Sequence, residues 1–494
     1  MSPQDNLPFL EQQLAALEPE ARSLEPDARQ RAEWMAQLQR ETDAFIGGLE
    51  HGKAYRKAGP MTGILESLRQ MTGPVPLDEV LYELREGMLA KGLNPASGGH
   101  LAYIPGGGIF AGAMGDFLAA VYNQYAGVYY GGPGAVKIEN ELLRWLCRMM
   151  AYPAGSLGNL TSGGSVANLI ALVTAREAHG LQVSDLAKCC IYLTSQVHHC
   201  VHKAIRIAGL SSVRIQTIPT DSHFRMDSEM LQRQVAQDRM AGLRPFLVVA
   251  SAGTTDTGAI DPLDAIADCC VANGIWFHVD AAYGGFFALS RLSYPNGKKV
   301  SEVFRGLSRS DSVAIDPHKG LFLPYGLGAV LIRDVASQYK AHYYRAAYMQ
   351  DAFAAQEELS PADLSPEMTK HFRGLRLWLP LRLYGLAPFV ANLDEKILLC
   401  RYFYHKVQAM GLETGPYPDT SICIFRFAPP GEDANEATRA LLDRVVDDGR
   451  VFLSSTTLEG QFWIRLAVLS FRTHLSTIKI CLEVLQNALN SSKF

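Results

Sequence analysis

The chain has 494 residues, of which 48% are hydrophobic and 19% are charged, and its formal net charge is −4. This balance is typical of a globular protein, and the length is sufficient for two or three domains. The chain contains 46 Lys and Arg residues and 50 Asp and Glu residues, and it has no cluster of basic residues. This composition argues against a nucleic-acid partner.

The N-terminal sequence, the lengths of the apolar runs and the cysteines indicate the cellular compartment of the protein. The N-terminus, "MSPQDNLPFLEQQ", is polar and does not resemble a secretory signal. No apolar run approaches the roughly 20 residues that a membrane helix needs. The nine cysteines include the adjacent pairs Cys189-Cys190 and Cys269-Cys270, which lack the spacing of a zinc site or a disulfide framework. We therefore expect a cytoplasmic protein with reduced thiols and no membrane partner.

The first part of the chain is predicted to be helical. Segments such as "DEVLYELREGMLA" place apolar residues at helical spacing. The stretch "KGLNPASGGHLAYIPGGG" then interrupts the pattern with Pro and clustered Gly. These features predict a helical N-terminal segment over residues 1–95.

The middle of the chain alternates between predicted helices and predicted strands. "VANLIALVTAREAHG" and "PLDAIADCCVANG" have helical patterns, whereas "CCIYL", "FLVVASAG", "IWFHVD" and "SVAID" are short apolar runs. Such alternation predicts an α/β domain, over 96–374, with a mainly parallel sheet flanked by helices. "GAVLIRD" follows "SVAID" after a short loop, so we expect these two strands to pair antiparallel. In such sheets, ligands bind at the carboxyl ends of the strands.

The pattern changes after residue 375. "ANLDEKILLCRYFYHKVQAMG" and "STIKICLEVLQNALN" are helical, and "SICIFRFAP" and "QFWIRLAVL" are strand-like. We expect a smaller α+β domain over residues 375–494.

A short glycine-containing turn is the first candidate site feature. The segment Thr161-Ser162-Gly163-Gly164-Ser165 leads directly into a predicted helix. Backbone N–H groups at a helix N-terminus bind anions, and glycine lets a phosphate approach closely. By itself, a plain serine N-cap explains the segment equally well, and no G-K-[ST] of a P-loop follows.

A histidine cluster is the second candidate feature. His198, His199 and His202 follow the strand "CCIYL". Three histidines suggest a metal, but a helix would place them on diverging faces, and no nearby Asp or Glu completes a site. A single histidine used for packing or stacking is the favoured interpretation.

A carboxylate and a lysine complete the set. Asp280 ends the strand "IWFHVD", and a buried carboxylate needs a cationic partner to stay ionised. Lys319 lies between two apolar runs in "SVAIDPHKGLFLPYGLG". Burial is expected to lower the pKa of such a lysine, and the neutral amine then forms a Schiff base. Taken separately, Asp280 could cap a turn and Lys319 could be a loop lysine with its ammonium in water.

The four features together fit one cofactor. Pyridoxal 5'-phosphate (PLP) has an anionic phosphate, a flat ring, a pyridine nitrogen that pairs with a carboxylate and an aldehyde that reacts with a lysine.

The chain also resembles the group II PLP-dependent amino-acid decarboxylases, which have the aspartate-aminotransferase fold (fold type I). The resemblance extends over about residues 60–480, and its most specific motifs are "HVDAAYGG", "DPHKG", "TSGGSVAN", "AYIPGG" and "YYGGPGAVKIENELLRWL". It implies a carboxy-lyase, and it implies a homodimer in which each active site borrows residues from the partner subunit.

The resemblance implies a role for each matching residue. Lys319 would be the Schiff-base lysine, Asp280 the partner of the pyridine nitrogen, and His198 the residue stacked on the ring. Other positions match residues around the cofactor and phosphate, namely Gly164, Ser165, Thr255, Ala282 and His318, the last also a candidate proton donor. Asp316 departs from the Asn common in aromatic decarboxylases, which puts a phosphate contact from this position in doubt.

The substrate is indicated less specifically. Tyr348, in "YRAAYMQD", resembles the catalytic tyrosine of a mobile loop, where phenylalanine is associated with aldehyde-forming relatives. Tyr103, Tyr125 and Tyr129 are expected to line the substrate pocket, which favours an aromatic L-amino acid. The alternatives are decarboxylation of an acidic or diamino acid (glutamate, aspartate, diaminobutyrate), and a PLP-dependent aldehyde synthase or aminotransferase.

Overall fold

A computed structural model describes residues 6–57, 73–89, 91–344 and 358–491 of the chain. The chain divides into two compact units, one comprising Met1–Gly52 and Arg56–Gly92, the other Lys53–Tyr55 and Leu93–Phe494. Two short strands, β1 (Tyr55–Arg56) and β2 (Gly92–Leu93), lie where the chain passes between the units.

The smaller unit is helical, as its spacing predicts. Its helices are α1 (Leu7–Arg22), α2 (Ala28–Gly48) and α3 (Leu77–Leu84), and the π-helical turn Arg85–Leu89 follows. The first two begin at side-chain caps, because Asn6 accepts the N–H of Phe9 and Asp27 accepts the N–H of Gln30. Each cap satisfies an N–H group that has no partner within its helix.

A seven-stranded sheet lies within the larger unit, with strand order β3-β9-β8-β7-β6-β4-β5. Its strands are β3 (Leu157–Thr161), β4 (Cys189–Leu193), β5 (Arg214–Thr217), β6 (Arg244–Ser251), β7 (Trp276–Asp280), β8 (Ser312–Ile315) and β9 (Gly328–Ile332). The pairs from β8 through β7, β6 and β4 to β5 are parallel, and β9 runs antiparallel to both β8 and β3. The predicted mainly parallel sheet, with "GAVLIRD" antiparallel to "SVAID", is therefore confirmed.

The sheet is buried on both faces by two separate apolar cores. Along β4, Cys190 and Tyr192 belong to one core, whereas Ile191 and Leu193 belong to the other, as the alternation of side chains along a strand requires. The helices of this region are α4 (Phe110–Tyr122), α5 (Pro133–Met149), α6 (Gly164–Ala178), α7 (His199–Ile207), α8 (Ser228–Met240), α9 (Leu263–Asn273), α10 (Pro317–Gly320), α11 (Val335–His342) and α12 (Gly374–Tyr384). Short 3-10 helices occupy Val183–Lys188, Gly285–Leu289, Val300–Arg309 and Pro361–Leu364.

The last part of the chain builds a second sheet with its own core. Its four strands are antiparallel in the order β10-β11-β13-β12. They are β10 (Glu413–Thr414), β11 (Ile422–Arg426), β12 (Ser454–Leu458) and β13 (Gln461–Ala467), accompanied by α13 (Ala387–Ala409), α14 (Ala434–Asp448) and α15 (Leu475–Asn490). A third apolar core includes Phe403, Phe425 and Ile464.

A buried ion pair connects the motif "GPGAVKIENE" to the sheet. The Lys370 Nζ lies 2.8 Å from Glu139 Oε2, and both side chains are fully buried. Lys370 also donates to the Asn159 side chain and the Leu160 carbonyl, and Glu139 accepts the N–H of Gly374. Since both charges are paired and hydrogen-bonded, Glu139 has a structural role, and removing either partner alone would leave a buried charge.

Two findings bear on the environment of the protein. Among the helices that the structure describes, none combines the length and the apolar character required to cross a bilayer. All nine cysteines are buried free thiols.

Candidate active site

A cavity of about 320 Å3 opens at the carboxyl ends of the parallel strands. Ser162 follows β3, His198 follows β4, and Asp316 follows β8, while Ser251 and Asp280 end β6 and β7. The full lining is Ser162, Gly163, Gly164, Ser165, Asn168, His198, Cys200, Ser251, Gly253, Thr254, Thr255, Asp280, Ala282, Tyr283, Asp316, His318 and Lys319. This is the sheet edge at which α/β folds bind ligands.

The fold brings together the residues that we predicted to surround a cofactor. Eight of them line this one cavity: Gly164, Ser165, His198, Thr255, Asp280, Ala282, His318 and Lys319. Tyr348 lies outside the described residues.

The first turn of α6 forms one end of the cavity. Gly164 and Ser165 begin a 15-residue helix, so their N–H groups are among those without an intrahelical partner. The backbone here is tightly packed, because a Cβ on Gly328 would lie 2.5 Å from Asp316 Oδ1 and 2.6 Å from the Cα of Gly163. The site therefore offers an anion a helix N-terminus that is held in place by neighbouring backbone.

Asp280 is buried, and its carboxylate is held by hydrogen bonds. Oδ1 accepts the N–H of Ala282 at 3.1 Å, and Oδ2 accepts Nδ2 of Asn168 at 3.2 Å. Burial raises the pKa of Asp280, although the nearby Lys319 ammonium and these hydrogen bonds oppose the shift. Asp280 is thus a desolvated carboxylate that depends on a neighbouring positive charge to stay ionised.

Lys319 is paired with Asp316 within the turn that follows β8. Its Nζ lies 2.9 Å from Asp316 Oδ2, and its side chain is 26% exposed while that of Asp316 is 2% exposed. Burial opposes the charge on the amine, but Asp316 and then Asp280 outweigh it, so the pKa of Lys319 is raised. The prediction that apolar flanks lower this pKa is therefore wrong. The sequence showed the apolar flanks but not the distance to Asp316.

His198 caps helix α7 and is uncharged. Its Nδ1 accepts the N–H of Cys200 at 3.3 Å, so the remaining proton is on Nε2. Burial, followed by the charges of His199 and Lys319, lowers the pKa of His198 to about 4. The described residues include no group of three or more His, Cys, Asp or Glu arranged to hold a metal. His198 therefore presents a neutral ring to the cavity.

His318 has a defined tautomer. Its Nδ1 lies 2.6 Å from the carbonyl oxygen of Leu327, which can only accept, so Nδ1 carries the proton. Burial lowers the pKa of His318. The neutral ring consequently has a lone pair, and not a proton, on Nε2.

The three tyrosines predicted to line the substrate pocket do not contact the cavity. Tyr103 is 63% exposed and packs near Phe452, with 5.8 Å between ring centroids. The hydroxyl of Tyr125 donates to the carbonyl of Met368. Neither they nor Tyr129 are part of the cavity lining formed by this single chain.

Several residues of the cavity were not predicted. They include Asn168, Cys200, Ser251, Thr254 and Tyr283. Asn168 had a detectable signal, because it follows Gly164 by four residues and so lies on the same face of α6. Tyr283 also stands within the quoted motif "HVDAAYGG", but the motif does not reveal which of its residues face the cavity.

Residues 75–414 match the model of the pyridoxal-dependent decarboxylase conserved domain. The chain belongs to this family. It is therefore a PLP-dependent carboxy-lyase that acts on an amino acid.

Relatives over almost the full length agree with this assignment. The chain is 32% identical to the aromatic-L-amino-acid decarboxylase of Bacillus atrophaeus over 459 residues, 90% of this chain and 92% of that protein. It is 29% identical to a phenylacetaldehyde synthase of Arabidopsis thaliana over 84% of this chain and 86% of that one. The crystal structure of Oryza sativa TDC with PLP and tryptamine superposes with a TM-score of 0.87 at 25% identity, covering 95% of this chain and 99% of that chain. Fold type I is thus confirmed.

The cavity has the groups that PLP requires. A helix N-terminus suits the phosphate, a buried carboxylate suits the pyridine nitrogen, a neutral histidine ring suits stacking and an amine suits the aldehyde. Asp316 fits less simply, because its buried Oδ1 has no hydrogen-bond partner among the described residues and lies beside the α6 turn.

Replacing Asp316 with asparagine is expected to speed covalent loading of PLP about three- to tenfold. The substitution removes the charge that raises the pKa of Lys319, so more of the amine is neutral and reactive. The measurement is the rate at which visible absorbance develops when PLP is added to cofactor-free protein. Asp311→Asn, which changes a partly buried carboxylate that accepts the N–H of Phe277 away from the cavity, is the control. An unchanged or slower rate in Asp316→Asn would contradict this account of the ion pair.

Proposed function

We propose that this enzyme decarboxylates an aromatic L-amino acid to the corresponding amine and CO2, with Lys319 holding PLP covalently. The observation that carries the proposal is the single cavity that collects Lys319, Asp280, His198 and the α6 N-terminus. The aromatic preference is supported by the similarity to an aromatic-L-amino-acid decarboxylase over 90% of the chain.

Each group in the cavity has a separate task in this proposal. The N–H groups at Gly164 and Ser165 would hold the phosphate, and Asp280 would keep a proton at the ring nitrogen. His198 would offer the ring a neutral aromatic surface, which avoids placing a second positive charge beside Lys319. Bound PLP supplies an electron sink for the electron pair left on Cα when CO2 departs.

Proton delivery to Cα is assigned to Tyr348. The alternative donor, His318, has its only proton on Nδ1, where the Leu327 carbonyl accepts it. Its Nε2 therefore accepts a hydrogen bond and serves to orient the substrate. The assignment to Tyr348 rests on the resemblance of "YRAAYMQD" to the catalytic loop of the family.

Replacing Tyr348 with phenylalanine is expected to divert most of the product from amine to aldehyde and ammonia. Without the phenol, Cα would lack its proton donor and would be open to two-electron oxidation by dissolved O2, which is reduced to H2O2; water would then hydrolyse the resulting imine to the aldehyde and ammonia. The two products are quantified together by chromatography after incubation with one aromatic amino acid. Tyr344→Phe, an exposed tyrosine four residues earlier, is the control. Clean amine production by Tyr348→Phe would remove Tyr348 from the mechanism.

We further propose that the enzyme is a homodimer. Helix α4 of the larger unit carries an apolar stripe of Phe110, Met114, Phe117 and Val121, which are 42% to 62% exposed in the single chain. Large apolar patches of this kind are typical of protein interfaces. Dimerisation also provides a route by which Tyr103 and the other predicted pocket tyrosines reach the site of the partner subunit. Sedimentation velocity tests the mass, and a fully active monomer would contradict the proposal.

The proposed division of the chain is a helical segment over 1–95, the PLP-binding domain over 96–374 and a C-terminal domain over 375–494. The separate antiparallel sheet and its own apolar core support the last of these. Nine buried thiols without a disulfide support the proposed cytoplasmic location.

A substrate panel tests the proposed reaction. The protein is incubated with PLP and separately with phenylalanine, tyrosine, tryptophan, histidine, glutamate, aspartate and 2,4-diaminobutyrate, and CO2 and amine are measured. The account predicts the highest kcat/KM for an aromatic substrate with equal yields of CO2 and amine. Preference for an acidic or diamino substrate would overturn the aromatic assignment. Aldehyde as the main product would favour the second candidate, an aldehyde synthase, which the similarity to a phenylacetaldehyde synthase supports.

A further inference from the structure

A chain of four hydrogen bonds runs through the protein interior to Asp280. Trp276 Nε1 donates to Ser312 Oγ at 2.9 Å, and Ser312 Oγ lies 2.8 Å from His278 Nδ1. His278 Nε2 lies 2.7 Å from Asn168 Oδ1, and Asn168 Nδ2 donates to Asp280 Oδ2 at 3.2 Å. All five side chains are buried. None of Trp276, Ser312 and His278 lines the cavity.

The fold explains why these residues meet. Trp276, His278 and Asp280 alternate along β7, so their side chains project from the same face of the sheet. Ser312 is the register partner of His278 on the neighbouring strand β8. Asn168 reaches the same face from α6, and its Nδ2 also donates to the carbonyl of Gly164 at 2.9 Å. The chain thus connects the body of the sheet to both the carboxylate and the α6 turn.

The directions of the hydrogen bonds follow from the two ends of the chain. The indole N–H of Trp276 can only donate, so Ser312 accepts it, and the carbonyl of Gly164 can only accept, so Asn168 turns its Nδ2 toward Gly164 and its Oδ1 toward His278. His278 therefore carries its proton on Nε2, which donates to Asn168 Oδ1, and the Nδ1 of the neutral ring accepts the proton of Ser312. The amide of Asn168 is therefore oriented with its NH2 group toward Asp280. Burial lowers the pKa of His278 to about 4, in agreement with a neutral ring.

We propose that Trp276, Ser312, His278 and Asn168 form a positioning relay that keeps Asp280 an oriented hydrogen-bond acceptor for the pyridine nitrogen of PLP. A reversed Asn168 amide would turn its oxygen toward Asp280, and only a protonated carboxyl group could satisfy that contact. The relay and the Gly164 carbonyl, which accepts Nδ2 of Asn168, together exclude this arrangement. This inference rests on the role of Asp280 in the proposed function.

The test compares the binding of PLP with that of a deaza analogue in which carbon replaces the ring nitrogen. The ratio of the two dissociation constants reports the pairing of Asp280 with the nitrogen and requires no turnover. The wild-type protein should prefer PLP, and Asp280→Asn should lose that preference. Ser312→Ala, which interrupts the relay without touching the cavity, should reduce the preference about tenfold, the size expected for a hydrogen bond to a charged group. Ser312→Thr keeps a hydroxyl and should retain the wild-type preference for PLP over the analogue.

Two further variants distinguish a loss of the relay from a general loss of protein stability. Trp276→Phe should reduce the preference in the same direction, since it removes the N–H that Ser312 accepts while Ser312 donates to His278. Tyr192 lies on the nearby strand β4, and Tyr192→Phe removes its buried hydrogen bond to Asp238. This variant should leave the preference for PLP over the analogue unchanged. An undiminished preference in folded Ser312→Ala and Trp276→Phe would overturn the relay alone. A wild-type protein that does not distinguish PLP from the analogue would overturn the relay and the role of Asp280 together.

Discussion

Replacing Lys319 with alanine is expected to lower kcat by roughly 10^3-fold or more and to abolish the visible absorbance of covalently bound PLP. The reason is chemical, because no other amine lines the described part of the cavity. Without Lys319, the cofactor has no covalent anchor, and Asp316 is left buried without its cation. Steady-state CO2 release and the absorbance spectrum of the purified protein are the two measurements.

The control for this prediction is Lys188→Ala. It removes an exposed lysine just before the amino end of β4, the end opposite to the cavity. It should keep both the activity and the spectrum of the wild-type protein. If Lys319→Ala retained the absorbance of bound PLP, the covalent anchor would have to be another residue. The proposed assignment of the cavity would then fail.

Replacing Asp280 with asparagine is expected to lower kcat by roughly 10^2-fold to 10^3-fold while the protein still folds and binds PLP. Asparagine has nearly the same shape, but it carries no negative charge to keep a proton on the ring nitrogen. Burial raises the pKa of Asp280 and also strengthens its electrostatic interaction with nearby charges. Because the site is buried, water does not take over the role of the lost carboxylate. Single-turnover measurement of CO2 release separates this chemical step from binding.

The control is again Asp311→Asn, which neutralises a partly buried carboxylate at the opposite end of the strands. That variant should change stability more than kcat. An Asp280→Asn enzyme with wild-type kcat would show that the carboxylate does not act on the cofactor ring.

Much of the central sheet follows from sequence, because its strands are continuous apolar runs that parallel sheets bury on both faces. Strand β3 was not predicted. Its sequence contains Gly158 and Asn159, which disfavour strands, and it forms because it packs against β9. A Cβ on Gly158 would overlap the carbonyl oxygen of Val330, so only glycine permits this approach. This requirement depends on the partner strand, so it cannot be inferred from the sequence of β3 alone.

The location of Asp280 and His198 was predictable, because Asp280 ends strand β7 and His198 lies in the short loop after β4. What the sequence could not provide was the distance between residues from different segments. The pairing of Lys319 with Asp316 reverses the expected direction of the lysine pKa. The contact between Asn168 and Asp280 joins α6 to β7 across more than a hundred residues of sequence. Both are properties of the folded chain.

Locating the covalent bond tests most directly whether Lys319 holds PLP. The PLP-loaded protein is reduced with sodium borohydride, digested, and analysed by peptide mass spectrometry. We expect a single phosphopyridoxyl group on Lys319, within the peptide that contains "DPHKG". Modification of a different lysine, with Lys319 unmodified, would contradict it.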